Sequence, residues 1–360
     1  MPKKSSKLTV PEIPNETWRA LYEAADALGG LRLWECMGDS ELLGVDDPHT
    51  DGPLLGAVMG GMGEVFGIAL HYGPAGLRWV LELATSDEPE VDMDAFLSIA
   101  VLKVEFMPKG ELPPEDKRRM KALGFAPSGG RGTKWPTFQS HRPGYLPWHI
   151  DESDARLLLH ALPRLIALGA AVRPLYESEG DFPSDGFAFF PKDRALGPLR
   201  LDEVEWRQVA MPPEPAPASF AVDEVTAAIL ANLPRQPSVV LEVEAFCGGG
   251  AITDGGENGR PWMVKAALSA AAGSGLIAGM ELGKSPGDTL EAIAGRGLVG
   301  AMKALGVRPG AVHLKSRRAA ESLAALAAQL GIPLKLRREL PAVEEARAGM
   351  PPQFGFGMSM

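Results

Sequence analysis

The residue types that could do chemistry fall in three places. The densest is Trp135 to His149, WPTFQSHRPGYLPWH, where Trp135, Phe138, Tyr145 and Trp148 interleave with Gln139, His141, Arg142 and His149. Aromatic side chains and arginine carry much of the energy at protein interfaces, and rings beside cations also stack on bases. The same rings could instead pack beneath proline-rich turns, as buried aromatics commonly do. Trp135, His141, Arg142, Tyr145 and Trp148 are the candidate binding residues here. The second place is Glu64 and His71, the polar residues nearest an apolar stretch, which could hold a ligand or satisfy backbone groups. The third is Asp46, Asp47 and Asp51 in one short loop. Calcium would ask for the spacing D-x-[DN]-x-[DN]-G, which is absent, and Pro48 interrupts the run. These three read as solvated turn residues.

Signatures of catalysis and of cofactors are missing. No GxSxG elbow, HExxH or paired-histidine motif occurs, and the six histidines are scattered. Gly61-Met62-Gly63 falls short of a dinucleotide loop, because Phe66 stands where the third glycine belongs and no helix pattern follows directly. Ser128 to Thr133, SGGRGT, lacks the lysine setting of a phosphate-binding loop. Cys36 and Cys247 are far apart, with no CxxC or Cys/His spacing for zinc, and read as reduced, buried thiols. No cofactor is expected.

Charge narrows the partners. The net charge is −10, which argues against broad nucleic-acid binding while leaving room for a local basic patch. The lysines near the N-terminus precede no apolar core and so do not make a signal peptide, and no run of about 18 apolar residues offers a membrane span. The expectation is a cytoplasmic protein with a possible protein partner and no membrane contact. Its oligomeric state is open.

The elements that must position these residues centre on Gly56 to Leu83. Apolar, strand-like runs flank Met59-Gly60-Gly61-Met62-Gly63 and predict a β-hairpin, followed by a helix opening at Gly73-Pro74. Before it, a helix is expected from Glu16 to Leu28, ended by Gly29-Gly30, then strands at Leu31–Met37 and Glu41–Val45. After it come a strand in Phe96–Phe106, a helix from Glu115 to Leu123, and a helix capped by Asp151 with Asp154 at the capping-box position. His160 lies in that helix and reads as packed, and Pro163 is expected to kink it. Strand-like Gly186–Phe190 and Leu201–Val209 follow. Met211 to Ser219, MPPEPAPAS, is a proline-rich linker.

A chain of 360 residues with 45% hydrophobic and 23% charged residues suits two globular domains. The expected layout is a tail over 1–14, an α+β domain with a small antiparallel sheet over 15–210, and a linker over 211–221. A second domain, over 222–350, has a mixed sheet covered by helices, and 351–360 is a tail. In that second domain three strands, in Ser238–Phe246, Trp262–Ala271 and Leu276–Leu282, precede alternating helices and strands, giving the order βββαβαβα.

That order, with the phrase PGAVHLKSRRAAESLAALAAQLGIPLKL, resembles the ribonuclease-H-like superfamily, which includes transposase and integrase cores, over roughly Ser238 to Met350. The resemblance implies carboxylates holding two metal ions that activate water and stabilise the leaving oxygen. Glu242 or Glu244 could fill the first-strand position, and Glu344 or Glu345 the last-helix position. The fourth-strand position, usually Asp, falls near Lys315, which repels a divalent cation, so the domain reads as a degenerate relative. A metal-dependent nuclease using Glu242, Glu244 and Glu345 is the weaker alternative. The full chain is also similar to a family of uncharacterised two-domain bacterial proteins, through WRALYEAADAL, VMGGMGEVFGIALHYGPAGL and WPTFQSHRPGYLPW. That likeness implies no activity. The function expected is therefore that of a non-catalytic binding or accessory protein, with a nuclease or a small-molecule sensor as alternatives.

Overall fold

The computed structural model describes residues 12–38, 40–61, 63–86, 98–128, 133–178, 186–253 and 256–350. These fall into two compact units, one of residues 12–143 and 147–214, the other of 144–146 and 215–350. Residues 1–11 and 351–360, most of the Ser128–Thr133 loop and the start of the Phe96–Phe106 strand lie outside the described residues, while Ile13, inside the expected tail, is buried in the core.

The N-terminal unit runs α1 (Asn15–Leu31), β1 (Leu42–Asp46), β2 (Pro53–Met59), β3 (Phe66–Tyr72), α2 (Gly73–Thr85), β4 (Ala100–Met107) and α3 (Pro114–Leu123). It continues with β5 (Trp135–His141), α4 (Glu152–Glu177), β6 (Phe187–Phe189) and β7 (Glu205–Arg207). The strands form one sheet in the order β5-β4-β3-β2-β1-β6-β7, antiparallel except for the parallel pair β1–β6. The α+β class is as expected, but the sheet is larger and mixed. β6 and β7 fall inside the strand-like Gly186–Phe190 and Leu201–Val209, each shortened to three residues.

Helices cover both faces of this sheet, so its central strands are apolar on both sides. Leu43, Val45, Leu54 and Val58 share a core with Leu21 and Tyr22 of α1 and with Leu162 and Leu165 of α4. Leu42, Leu55 and Ala57 pack with Leu77, Val80 and Leu81 of α2. By length and composition α4 could cross a membrane; here Leu158, Leu162, Leu165 and Leu168 are buried in the core. The helix runs through Pro163 and Pro174 without a break.

The expected hairpin is present, with Val58 opposite Ile68 and Met59 opposite Gly67. Gly67 is required by space, because a Cβ there would lie 2.1 Å from the Val104 carbonyl oxygen. The strand expected at Leu31–Met37 is absent. Instead α1 continues through Gly29-Gly30 to Leu31, Arg32 turns left-handed at φ 49°, and a 3₁₀ turn follows at Leu33–Glu35. Gly29 does not stop the helix. It makes room for the Phe106 ring, which a Cβ would approach to 2.8 Å.

The C-terminal unit runs α5 (Glu224–Asn232), β8 (Arg235–Ile252), β9 (Trp262–Ala271), β10 (Ile277–Leu282) and α6 (Leu290–Leu305). β11 (Arg308–Leu314), α7 (Arg317–Leu330), β12 (Leu334–Leu336) and α8 (Pro341–Ala348) complete it. Its five strands lie in the order β10-β9-β8-β11-β12. The first three form an antiparallel meander, and β8–β11 and β11–β12 are parallel. This is a mixed sheet with the βββαβαβα order after α5. Leu241, Val243, Val312 and Leu314 pack with Leu298 and Met302 of α6 and with Leu323 and Leu326 of α7. On the other face Leu340 and Val343 close over Phe246 and Leu268. β8 is longer than expected, because it carries on through Gly248-Gly249-Gly250 with a register shift between Cys247 and Ala251. Glycines tolerate such a bulge.

Candidate functional site

The aromatic segment is built into the fold as a clamp. β5 is an edge strand, and the chain returns to it through Trp148, whose N–H donates to the Ser140 carbonyl at 3.0 Å while the Ser140 N–H donates back at 2.8 Å. Arg142 donates to Asp151 and, at 3.1 Å, to Asp154. The same two aspartates form the capping box of α4. The Asp154 N–H donates to Asp151 Oδ1 at 3.0 Å, and the Asp151 N–H to Asp154 Oδ2 at 3.1 Å. Burial by itself disfavours the Arg142 charge, but Asp154 and Asp151 outweigh it and hold the guanidinium more firmly protonated than usual. Burial likewise pushes Asp151 up, and Ser153, the Asp154 N–H and Arg142 together bring its carboxyl below the ordinary range.

The other candidates of this segment are also engaged. His149 Nε2 lies 2.7 Å from Glu115, and Lys109 sits over the Trp135 ring at 4.5 Å. Tyr145 belongs with the C-terminal unit and makes an isolated β-bridge to Trp262 there. Arg142 is tied to a helix N-terminus, and Trp148 is half-buried with a buried Nε1.

Glu64 and His71 are not brought together. Glu64 is exposed in the hairpin loop, whereas His71 is buried near the far end of β3, roughly 20 Å along the strand. His71 shares a row with Val101 of β4 and His141 of β5. Burial, then Lys103 and His141, push the His71 imidazole down to about 3, so it is neutral at pH 7.

The carboxylates of the C-terminal unit have structural partners. Glu242 is buried, and its Oε2 accepts from the N–H groups of Ala342 at 2.7 Å and Val343 at 3.2 Å. Pro341 opens α8 and has no N–H to give, so the first available amides of the helix go to Glu242. Glu244 lies 3.2 Å from Arg347 and 3.8 Å from Lys315, which sits 2.6 Å from Glu344. Glu345 is exposed. The set Glu242, Glu244 and Glu345 is therefore a helix cap, an ion-pair member and a solvent-facing side chain. Among the described residues no group of three or more His, Cys, Asp or Glu is placed to hold a metal ion.

A cleft of about 460 Å³ in the N-terminal unit gathers residues that the sequence leaves in separate segments. It is lined by the loop after β1, by His160 and Arg164 of α4, and by Phe190 to Lys192. Asp47 folds the loop. Its Oδ1 accepts from the His49 N–H at 2.8 Å and its Oδ2 from the Thr50 hydroxyl at 3.0 Å. His160 and Arg164, one helical turn apart, share a face of α4. His160 Nε2 lies 3.0 Å from the Asp46 carbonyl oxygen. A carbonyl only accepts, so this nitrogen carries the proton.

Arg164 donates to the His160 carbonyl at 2.7 Å and lies 5.9 Å from the centre of the Phe190 ring. It pairs with no carboxylate among the described residues, and burial holds its pKa below the ordinary value with no acid to offset it. Asp46 accepts from Arg207 with one oxygen at 2.8 Å, and its other oxygen is buried with no hydrogen-bond partner among the described residues. Burial, then the Arg164 charge, depress the His160 imidazole, while the Asp46 carbonyl and Asp47 act the other way. The cleft lining thus holds Arg164 and Lys192, the three aspartates, and the imidazoles of His49 and His160. Its volume is that of a small-molecule site. Two signals were open in the sequence, the three aspartates and the i, i+4 pair His160 and Arg164, but nothing in the sequence joins them.

Residues 18–186 match a family model described as Domain of unknown function (DUF7309), and residues 226–351 match one described as Domain of unknown function (DUF6930). No curated protein and no solved structure matches the chain. The protein is thus a two-domain α+β chain in which a stretch matching DUF7309 is followed by one matching DUF6930.

Proposed function

We propose that this chain is a non-catalytic binding protein whose N-terminal unit takes a small polar ligand in the cleft between the loop after β1, α4 and Phe190–Lys192. The observation that carries the reading is Arg164. It is a half-buried guanidinium facing a cleft with no carboxylate to compensate it among the described residues. A partly desolvated charge without a partner is costly in a folded protein. A ligand that supplies the missing acceptor accounts for it.

The C-terminal unit, on this reading, is a scaffold. Its element order supports the likeness to the ribonuclease-H-like superfamily. The contacts of Glu244 and Glu344 with Lys315, and of Glu242 with α8, support a use of these carboxylates in stability and not in phosphoryl transfer.

Thermal unfolding of the full chain against a panel of metabolites tests the reading. A ligand at a hundred times its Kd adds about 2.7 kcal/mol to the stability of the form that binds it. At least one compound is expected to raise the melting temperature of the parent and to have no effect on Arg164→Gln. A Mg²⁺- or Mn²⁺-dependent hydrolysis of nucleic acid that is lost in Glu244→Gln would overturn it. So would equal responses of parent and Arg164→Gln to every compound.

A further inference from the structure

We propose that residues 351–360 of this chain, PPQFGFGMSM, dock along the open edge of the C-terminal sheet as a further strand beside β10, over an apolar row that α8 leaves bare. This docking is independent of the cleft in the N-terminal unit.

β10 ends its sheet, and one of its faces is apolar and uncovered. Ile277, Met280 and Leu282 are 51%, 48% and 42% exposed. They share that face. Glu281 reaches Arg296 of α6 at 3.0 Å, and a Cβ on Gly279 would lie 3.5 Å from the Ala301 nitrogen of the same helix. Met280 and Leu282 alternate with these two residues and point the other way. They stand opposite Leu268 and Ala266 of β9, and the register shift after Ile277 sets that residue opposite Ala270. Ala266, Leu268 and Ala270 are buried together with Leu340 and Val343. The apolar face therefore continues from β9 onto β10, whereas the eight residues of α8 pack on β8 and β9.

The backbone of β10 is open as well. The Gly283 N–H donates to the Lys265 carbonyl at 2.8 Å, which puts Gly283, Glu281 and Gly279 in phase with β9. Met280 and Leu282 are out of phase, so their N–H and C=O groups point away from β9, to the side where the sheet ends. Proteins guard such edges with proline, lysine or bulges. IAGMEL has no proline and no lysine, and its one acid is turned to α6. The bulge lies at one end and leaves Gly279 to Leu282 regular.

The chain itself supplies the occupant. After α8, Met350 packs against the cluster that holds Leu268 and Val343. Glu345 of α8 stands by the turn between β9 and β10, 3.7 Å from where a Cβ on Gly275 would be. The next ten residues carry no charged side chain and open with two prolines, which stop a helix and favour extended chain. Phe354, Phe356, Met358 and Met360 then alternate with Gly355, Gly357 and Ser359. That is the period of a strand with one apolar face. Ten extended residues reach about 33 Å, and the open side of β10 lies two strand spacings, about 10 Å, from β9. A strand added there prolongs the apolar face and takes up the outward groups of Met280 and Leu282.

Amide hydrogen exchange of the full chain is the test, read at Met280, Leu282 and residues 353–360. Met280 and Leu282 should exchange at least tenfold faster in Phe354→Ser/Phe356→Ser than in the parent, with the core amide of Val312 unchanged. Phe354→Leu/Phe356→Leu keeps the alternation and should keep the protection. Equal exchange at Met280 and Leu282 in the parent and the serine variant overturns the docking. So does exchange of 353–360 in the parent at the rate of an unstructured peptide. Protection that falls on dilution, as the mass by light scattering drops from two chains to one, also overturns it and gives the edge to a second copy.

Discussion

Glu242 separates two readings of the C-terminal unit by stability alone. As a helix cap, its 5% exposed carboxylate serves the amides of Ala342 and Val343 at 2.7 and 3.2 Å. Glu242→Ala removes a charge-assisted pair of hydrogen bonds and leaves two buried N–H groups without an acceptor. A lost cap costs about 1 kcal/mol and a stranded buried donor costs about 1–3 kcal/mol, so the expected loss is about 3 kcal/mol. Glu242→Gln keeps an oxygen in place and loses only the charge, for about 1 kcal/mol. Urea unfolding gives the loss, and amide exchange at Ala342 and Val343 localises it. A metal ligand would behave otherwise, since Gln and Ala would both abolish the ion and neither would loosen α8 in its absence. Glu242→Ala within about 0.5 kcal/mol of the parent, with unchanged exchange in α8, would refute the cap.

Three further outcomes follow from the N-terminal unit. His71 is neutral in the fold, pushed down to about 3 from an ordinary 6.5, so unfolding between those values takes up a proton. Stability therefore falls as the pH falls below 6.5, by at most about 1.4 kcal/mol per pH unit, and that part of the slope should vanish in His71→Leu when denaturant midpoints are compared across pH. Arg142→Met takes a cation from Asp154, which is 4% exposed, and should cost about 2 kcal/mol, with part of the loss recovered when Asp154→Asn is added; simple additivity of the two would show that they do not interact. Gly67→Ala drives a methyl group onto the Val104 carbonyl oxygen, 2.1 Å away, and should cost about 3 kcal/mol by denaturant unfolding. A loss under about 1 kcal/mol would mean that β3 and β4 slide apart easily.

How far the sequence could be read depended on whether the signal was local. The hairpin around Met59–Gly63, the Asp151 cap and the helix after Pro74 are written within a few neighbouring residues, and all three are in place. The order of strands and helices after Ser238 was legible for the same reason. Leu31 to Met37 alternates like a strand, yet Arg32 adopts a left-handed backbone that ends α1 and starts a 3₁₀ turn. Gly29-Gly30 looked like a stop, whereas Gly29 answers to the distant Phe106 ring. Arg142 stands in sequence among aromatics, and its pairing with Asp151 and Asp154, which the sequence announces only as caps, appears in the fold. The cleft was hidden because its lining comes from residues 45–51, from one face of α4 and from 190–192, which meet only in three dimensions.

β8 is the middle strand of its sheet and makes two kinds of bond with two kinds of neighbour. Its antiparallel partner β9 arrives within a few residues, but Arg235 meets Arg308 only after β9, β10 and α6 have been made. A nascent chain leaving the ribosome must therefore carry one side of β8 with its amides and carbonyls unpaired for the whole of that synthesis. Closure over so long a loop is slow compared with a hairpin. Until β11 emerges, β8 presents an open edge to any other strand nearby, so crowded refolding of this half should favour strand exchange between molecules over closure within one.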